Sequence, residues 1–333
     1  MPEGRKRARR GRGGCEPVLV AALDLGTNNC RLLVARSTPR GELRVVDSFS
    51  RIVRLGEGVA QSGRLSEAAM ARTIEALKVC AGRLSTNGVK RVRAVATEAC
   101  RRAENAGELV SRARNETGIV LEIISSSEEA RLAAIGCAPL LDAESEGGLI
   151  FDIGGGSTEI IWMKRSGRGQ SRVLAATSQP LGVVTLAESW SGAPLDRTGF
   201  ARMRDGLVDH LRPVKVEMES AAVFDPYTHH LLGTSGTVTT LAAIALGLAR
   251  YERNRVDGSW HSCRDIAAVV DRLIDLDLKA RGRIGCVGPD RADLIVPGCA
   301  IFTAILALWP CERLRVADRG LREGMLRELM GRR

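Results

Sequence analysis

The feature that most constrains this 333-residue chain is a segment that occurs twice. The run Leu23-Asp24-Leu25-Gly26-Thr27-Asn28-Asn29-Cys30-Arg31-Leu32-Leu33 aligns without a gap on Phe151-Asp152-Ile153-Gly154-Gly155-Gly156-Ser157-Thr158-Glu159-Ile160-Ile161, so that Asp24 falls on Asp152 at an offset of 128 residues. Each copy reads as a buried strand, a tight polar turn and a second apolar strand, because an unbroken run such as Val18 to Leu25 suits a strand covered on both faces. Two hairpins of one design, at the start and near the middle of the chain, point to a duplicated α/β unit. Strands joined by a tight turn are antiparallel and strands joined through helices are parallel, so the expected sheets are mixed.

The rest of the chain fills in around the two hairpins. Apolar residues at helical spacing (Ala69, Ile74, Leu77, Leu84) predict a helix over 66–84 with Ser66 as its N-cap. A strand over 92–96, a helix over 105–117, a strand over 120–124 and a helix over 128–136 behind the cluster Ser125 to Ser127 follow. After the second hairpin helices predominate, over 198–220, 235–248, 263–280 and 319–330. A chain of this length exceeds what one core covers, so two domains are expected.

Composition excludes several function classes. Aromatic residues make up only 3%, which leaves few platforms for base stacking and argues against specific nucleic-acid binding. The longest apolar stretch, 295–309, is interrupted by Pro297, Gly298 and Thr303 and is shorter than the ~18 residues a spanning helix needs. Asp24 interrupts the first apolar run, which is therefore no secretion signal. Nine cysteines without a C-x-x-C pair fit neither a disulfide framework nor a zinc site and read as buried thiols of a cytoplasmic protein. The four histidines show no metal-ligand spacing. A net charge of +10 favours an anionic partner, although six of the basic residues lie in 1–16 and only six of all 49 are lysine, a skew that base composition also produces. Residues 1–16, rich in Arg and Gly, read as a disordered basic tail.

The duplicated turns carry the chemistry. A turn of the form Asp-x-Gly between buried strands presents successive backbone N–H groups as an anion nest, and phosphate is its natural guest. Glycine at Gly26, Gly154, Gly155 and Gly156 lets oxygens approach the main chain, while Thr27, Asn28, Ser157 and Thr158 add hydroxyl and amide donors. An ordinary hairpin turn explains either copy alone; it does not explain two matched ones. The three glycines are not a dinucleotide fingerprint, because a strand, not a helix, follows them. Asp24, Asp152 and Glu159 beside phosphate require a cation between them, and Mg²⁺, which accepts a few carboxylates together with water and phosphate oxygens, is the expected one. Glu128 and Glu129 fit a helix start whether or not either is catalytic. Arg101 or its neighbour Arg102 can clamp a phosphate. Gly233-Thr234-Ser235-Gly236-Thr237 is either a third anion contact or a helix capped by Ser235.

In this order, ALDLGTNNCRLL (Ala22 to Leu33), VATEACRRAENA (Val95 to Ala106), SSSEEARLA (Ser125 to Ala133), FDIGGGSTEI (Phe151 to Ile160), GTSGTVTTL (Gly233 to Leu241) and DRGLREGML (Asp318 to Leu326) resemble the exopolyphosphatase and guanosine pentaphosphate phosphohydrolase family, within the superfamily of sugar kinases, actin and heat-shock ATPases. The resemblance implies two ribonuclease-H-like domains with the active site in the cleft between them: residues 17–124 with 318–333, and residues 125–317. It implies a hydrolase that releases terminal orthophosphate from inorganic polyphosphate, guanosine pentaphosphate or both. Glu129 matches the water-activating carboxylate, Asp152 and Glu159 the metal-associated acids, and Arg101 a phosphate-contacting arginine. Asp24, Gly26, Thr27, Asn28 and Asn29 match the first phosphate loop, Gly154 to Thr158 the second, and Gly233 with Ser235 a further contact. Thr27-Asn28-Asn29 stands where relatives often carry Ser-Asn-Ser, and Ser125-Ser126 where they often carry Ser-Gly. The two alternatives are a kinase of the same superfamily and a non-catalytic sensor of polyphosphate or guanosine pentaphosphate. The oligomeric state, a homodimer among the options, is open at this level.

Overall fold

The computed structural model describes residues 18–38, 43–167, 170–192 and 195–331, and the expected basic tail over 1–16 lies outside the described residues. Among the described residues, eleven strands form two mixed sheets. The first holds β1 (Leu19–Leu25), β2 (Asn29–Ser37), β3 (Leu43–Ile52), β4 (Arg91–Ala96) and β5 (Glu122–Ile123) in the order β3-β2-β1-β4-β5. The second holds β6 (Gly147–Ile153), β7 (Thr158–Ser166), β8 (Gln170–Gln179), β9 (His229–Thr234), β10 (Trp260–Ser262) and β11 (Arg313–Ala317) in the order β10-β11-β9-β6-β7-β8.

The repeat in sequence is a repeat in topology. β1 pairs antiparallel with β2 and parallel with β4; β6 does the same with β7 and β9. β3 and β8 extend the two hairpins at equivalent outer edges. Even the irregularities correspond, since the register shifts between Val34 and Ala35 in one sheet and between Trp162 and Met163 in the other. A bulge increases local twist, so the paired bulges bend both outer edges alike.

Sequence reading omits β3 and β8, and the reason is burial. Both are edge strands with mostly exposed or half-exposed residues, so neither carries the apolar run that marks a covered strand. The expected helix over 263–280 is two helices, Cys263–Ile274 and Leu278–Arg283, because Asp277 caps a new start by accepting from the Ala280 N–H at 2.7 Å. The expected strand over 120–124 shortens to Glu122–Ile123. Arg101 lies on the short helix Glu98–Arg102. The apolar stretch is a buried helix, Ile295–Leu308, and no helix among the described residues is long and apolar enough to cross a membrane.

Two helices, Ser126–Cys137 and Leu321–Gly331, join the sheets. Ala130, Ala133, Ala134 and Cys137 pack on Ile150, Ile161 and Leu232 of the second sheet, whereas Leu132 packs with Val20, Ala22 and Val95 of the first. Leu321, Met325 and Leu326 bring the final helix onto the first sheet. The helices meet backbone to backbone. A Cβ at Gly324 would lie 2.0 Å from the Leu132 carbonyl oxygen, and one at Gly136 would lie 2.0 Å from that of Gly320. Main-chain oxygens cannot swing aside as a side chain can, so Gly324→Ala is expected to destabilise the fold by ~3 kcal/mol, read as a lowered urea midpoint.

Candidate active site

Each hairpin turn is built the same way. The Gly26 N–H donates to the Asn29 carbonyl at 2.9 Å, and the Gly154 N–H donates to the Ser157 carbonyl at 2.8 Å. The remaining turn carbonyls are drawn backward: those of Thr27 and Asn28 accept from Val53, Arg54 and Gly56, and those of Gly154 and Gly155 accept from Val183 and Val184. The N–H groups of Thr27, Asn28, Gly155 and Gly156 have no partner among the described residues. Uncommitted amides on two opposed turns are what an anion nest requires.

The turns face a single cavity of about 130 Å³. Asp24, Gly26, Thr27, Asn28 and Asn29 line it from one side, and Asp152, Gly154, Gly155, Gly156, Ser157 and Glu159 line it from the other, joined by Glu129 and Ser235. The two turns also touch. A Cβ at Gly155 would lie 3.0 Å from Thr27 Cβ and 3.1 Å from the Asn28 nitrogen, so a side chain there would push the two turns apart by a few tenths of an ångström. Polar bridges close the cleft further out: Gly58 N–H donates to Glu188 Oε1 at 2.9 Å, and Arg54 pairs with Asp293 at 3.0 Å.

Hairpin register determines which charges converge. It sets Asp152 opposite Glu159 in the second copy and Asp24 opposite Arg31 in the first. Burial, then the charge of Glu159, pushes the Asp152 carboxyl up to about 7. Asp24 is raised as well, by burial against the lowering pull of Arg31 and Arg322. Glu159, 2% exposed, accepts from the Ser157 and Ser178 hydroxyls at 2.8 and 2.7 Å, yet burial still raises it. Glu129 is raised well above the ordinary carboxylate range by burial and by Glu159, although Arg101 opposes this. Buried carboxylates in such numbers are destabilised by one another, a condition that a divalent cation relieves. The donors are all oxygens, the set that suits a hard cation, although no group of three or more His, Cys, Asp or Glu among the described residues is placed to hold an ion.

The paired glutamates part company. Glu128 accepts from Arg93 at 2.9 Å and from Arg131 at 2.7 Å, and its carboxyl is held down at about 2 by Arg131 and Arg93 against the raising effect of burial. Glu129 lines the cavity and accepts from Arg101 Nη1 at 2.8 Å. Arg101 stands behind Glu129 and outside the cavity wall. Its guanidinium also donates to Glu98 at 2.8 Å and to the Ile124 carbonyl at 3.0 Å, so in this arrangement it orients the carboxylate. Two other sequence candidates also lie off the cavity. Thr158 Oγ1 donates to the Leu181 carbonyl at 2.6 Å, and Gly233 is packed in β9 against Phe151 and Val238. Ser235 is not an N-cap: Thr234 holds that position, while Ser235 has φ 85 and a buried hydroxyl without a partner. Such strain is kept where function requires it.

Sequence reading missed Arg31 and Arg291. Both line the cavity, neither has a carboxylate partner among the described residues, and a Cβ at Gly236 would lie 3.8 Å from each guanidinium. Burial and the proximity of Arg31 weaken the hold of Arg291 on its proton. Two cations crowded at the first turn of the helix Ser235–Ala245 make a place where an anion is favoured. The signal for Arg31 was its alignment with Glu159 in the repeat; Arg291 had none, being distant in sequence from every motif.

Two mixed sheets of one topology that close a cavity lined by paired glycine turns and acids define the class: an α/β protein that handles phosphoryl groups. The chain belongs to the Ppx/GppA phosphatase family, whose profile matches residues 33–333. It is 34% identical over 330 residues to exopolyphosphatase 2 of Mycobacterium tuberculosis, covering 94% of this chain and 98% of that protein. A crystal structure of the Aquifex aeolicus Ppx/GppA family member superimposes with a TM-score of 0.77 at 32% identity, covering 95% of this chain and 99% of that one. An exopolyphosphatase from Cytophaga hutchinsonii shares the fold with a TM-score of 0.83 at 24% identity, covering 94% and 98%. The chain is a hydrolase of the phosphatase type.

Proposed function

We propose that this enzyme cleaves terminal phosphoanhydride bonds, releasing orthophosphate from inorganic polyphosphate and, by the same chemistry, from guanosine pentaphosphate. The observation that carries the reading is the convergence of two amide-bearing turns and Glu129 on one cavity. The turns grip the terminal phosphoryl groups from both sides, and Arg31 with Arg291 holds the next ones. Glu129, kept in place by Arg101, orients a water and takes its proton as the water attacks phosphorus; the bond to the bridging oxygen breaks and the shortened chain leaves as the other product. Asp152 and Glu159, with Asp24 near them, would hold Mg²⁺, which when bound neutralises charge on the transferred group. A kinase would need a second substrate at the cavity, and a sensor would gain nothing from an activated carboxylate beside the phosphates. The lobes are proposed to divide as 17–124 with 318–333 and 125–317, and the eight free cysteines among the described residues fit a cytoplasmic setting.

The test is orthophosphate release from polyphosphates of defined length and from guanosine pentaphosphate, with Mg²⁺ and with a chelator. Release is expected with Mg²⁺ and should fall by roughly 10²-fold when the metal is removed. Tight binding without release at any divalent metal concentration would leave the sensor reading instead.

A further inference from the structure

A cavity of about 130 Å³ takes the reacting end of a polymer. It opens into a groove of about 1120 Å³ that shares Asp24, Arg31, Asp152, Ser235 and Arg291 with it. Several arginines of the groove are neutralised internally. Arg72 pairs with Glu57 at 3.0 Å, Arg253 with Glu323 at 2.6 Å, Arg319 with Asp257, and Arg54 with Asp293 at 3.0 Å. Beyond Arg31 and Arg291, two are not. Arg322 and Arg51 line the groove with no carboxylate in ion-pair reach among the described residues.

Their positions order them along a path. Arg322, in the first turn of the final helix, stands close enough to Asp24 and Asp152 for its charge to act on both. Arg51 is on β3, the outer strand, directly across the ladder from Cys30, with its guanidinium 5.2 Å from the centre of the Phe49 ring. Past Arg51 the basic groups are paired again, for in the adjoining depression Arg112 pairs with Glu116 at 3.3 Å and Arg72 with Glu57 at 3.0 Å.

Resting on the polyphosphate reading above, we propose that the trailing phosphoryl units of the substrate run along this groove past Arg322 to Arg51, and that this finite basic track sets the preference for chain length. An isolated solvated arginine needs no partner, but guanidiniums without an ion-pair contact in a groove continuous with the reaction cavity make a path for a polyanion. Affinity should therefore rise with chain length until the track is filled and then level off.

The experiment compares Arg51→Gln with the wild type on tripolyphosphate and on a long polyphosphate, in Mg²⁺. The ratio of kcat/KM for long over short substrate is expected to fall about tenfold, with the loss in KM and a smaller effect at high salt. Arg204→Gln, which removes an exposed arginine paired with Asp205, controls for net charge and should leave the ratio unchanged. An unchanged ratio in Arg51→Gln, or an equal fall in the control, overturns the track. No orthophosphate from either substrate with the wild type would instead remove the polyphosphate reading itself, so the two failures are distinct.

Discussion

Replacing Glu129 with glutamine is expected to lower orthophosphate release by about 10²-fold or more while polyphosphate binding stays within a few-fold of the wild type. Glutamine keeps the shape and can still accept from Arg101, so the phosphate-holding turns and the positioning contact remain. What is lost is the proton acceptor. The carboxylate is suited to the task because burial and Glu159 raise its affinity for a proton, which brings a base closer to the working pH. The wild-type rate should consequently rise with pH through an inflection above the ordinary carboxylate range. Turnover of Glu129→Gln within threefold of the wild type would assign water activation to another group. Glu128→Gln is the contrasting substitution, and its cost should appear in stability, because Glu128 is tied to Arg93 and Arg131.

Asp152→Asn should produce opposite effects on activity and stability. Turnover is expected to drop on the order of 10²-fold, as a cation-holding acid is removed. In the absence of divalent metal at pH 8, however, the melting temperature should rise by a few degrees. The sign follows from linkage. The unfolded carboxyl titrates near 3.8, and the folded one is pushed up to about 7 by burial and by Glu159. The folded state therefore binds the proton more tightly, an advantage fully present below the unfolded value and lost as pH rises through about 7. At pH 8 the wild type carries the whole cost of the buried charge, at most ~4 kcal/mol before local relaxation. Asparagine carries none of it. At pH 4 the difference should shrink, and added Mg²⁺ should stabilise the wild type more than the variant. A variant that melts lower at pH 8 and gains as much from Mg²⁺ would show that Asp152 is not under this strain.

The same crowding of acids explains why a cleft so well packed is still adapted to substrate. Amides and two arginines supply positive field in the cavity, and carboxylates supply negative field. The amides lack partners among the described residues, the two arginines lack carboxylates in ion-pair reach there, and the acids, although Glu129 and Glu159 accept hydrogen bonds, still raise one another's affinity for protons. Substrate with a divalent cation satisfies both at once, which is the differential binding that catalysis requires.

The sequence by itself determined the two hairpins, their mixed sheets, the matched glycine turns and the family resemblance, because each of these is written in contiguous residues: apolar runs, Gly-bearing turns and a repeat at constant spacing. It left the edge strands β3 and β8 unseen, since their faces are largely solvated and carry no burial pattern. Only the tertiary structure decided which of Glu128 and Glu129 enters the cavity, that Arg101 serves Glu129, that Thr158 and Gly233 pack away from it, and that Arg31 and Arg291 converge on Gly236. The reason is range. A turn is specified by its neighbours along the chain, whereas the direction of a side chain within a cleft, and the charges that surround it, are specified by separate elements, from Arg101 against Glu129 to Arg31 beside Arg291, that meet only when the fold closes.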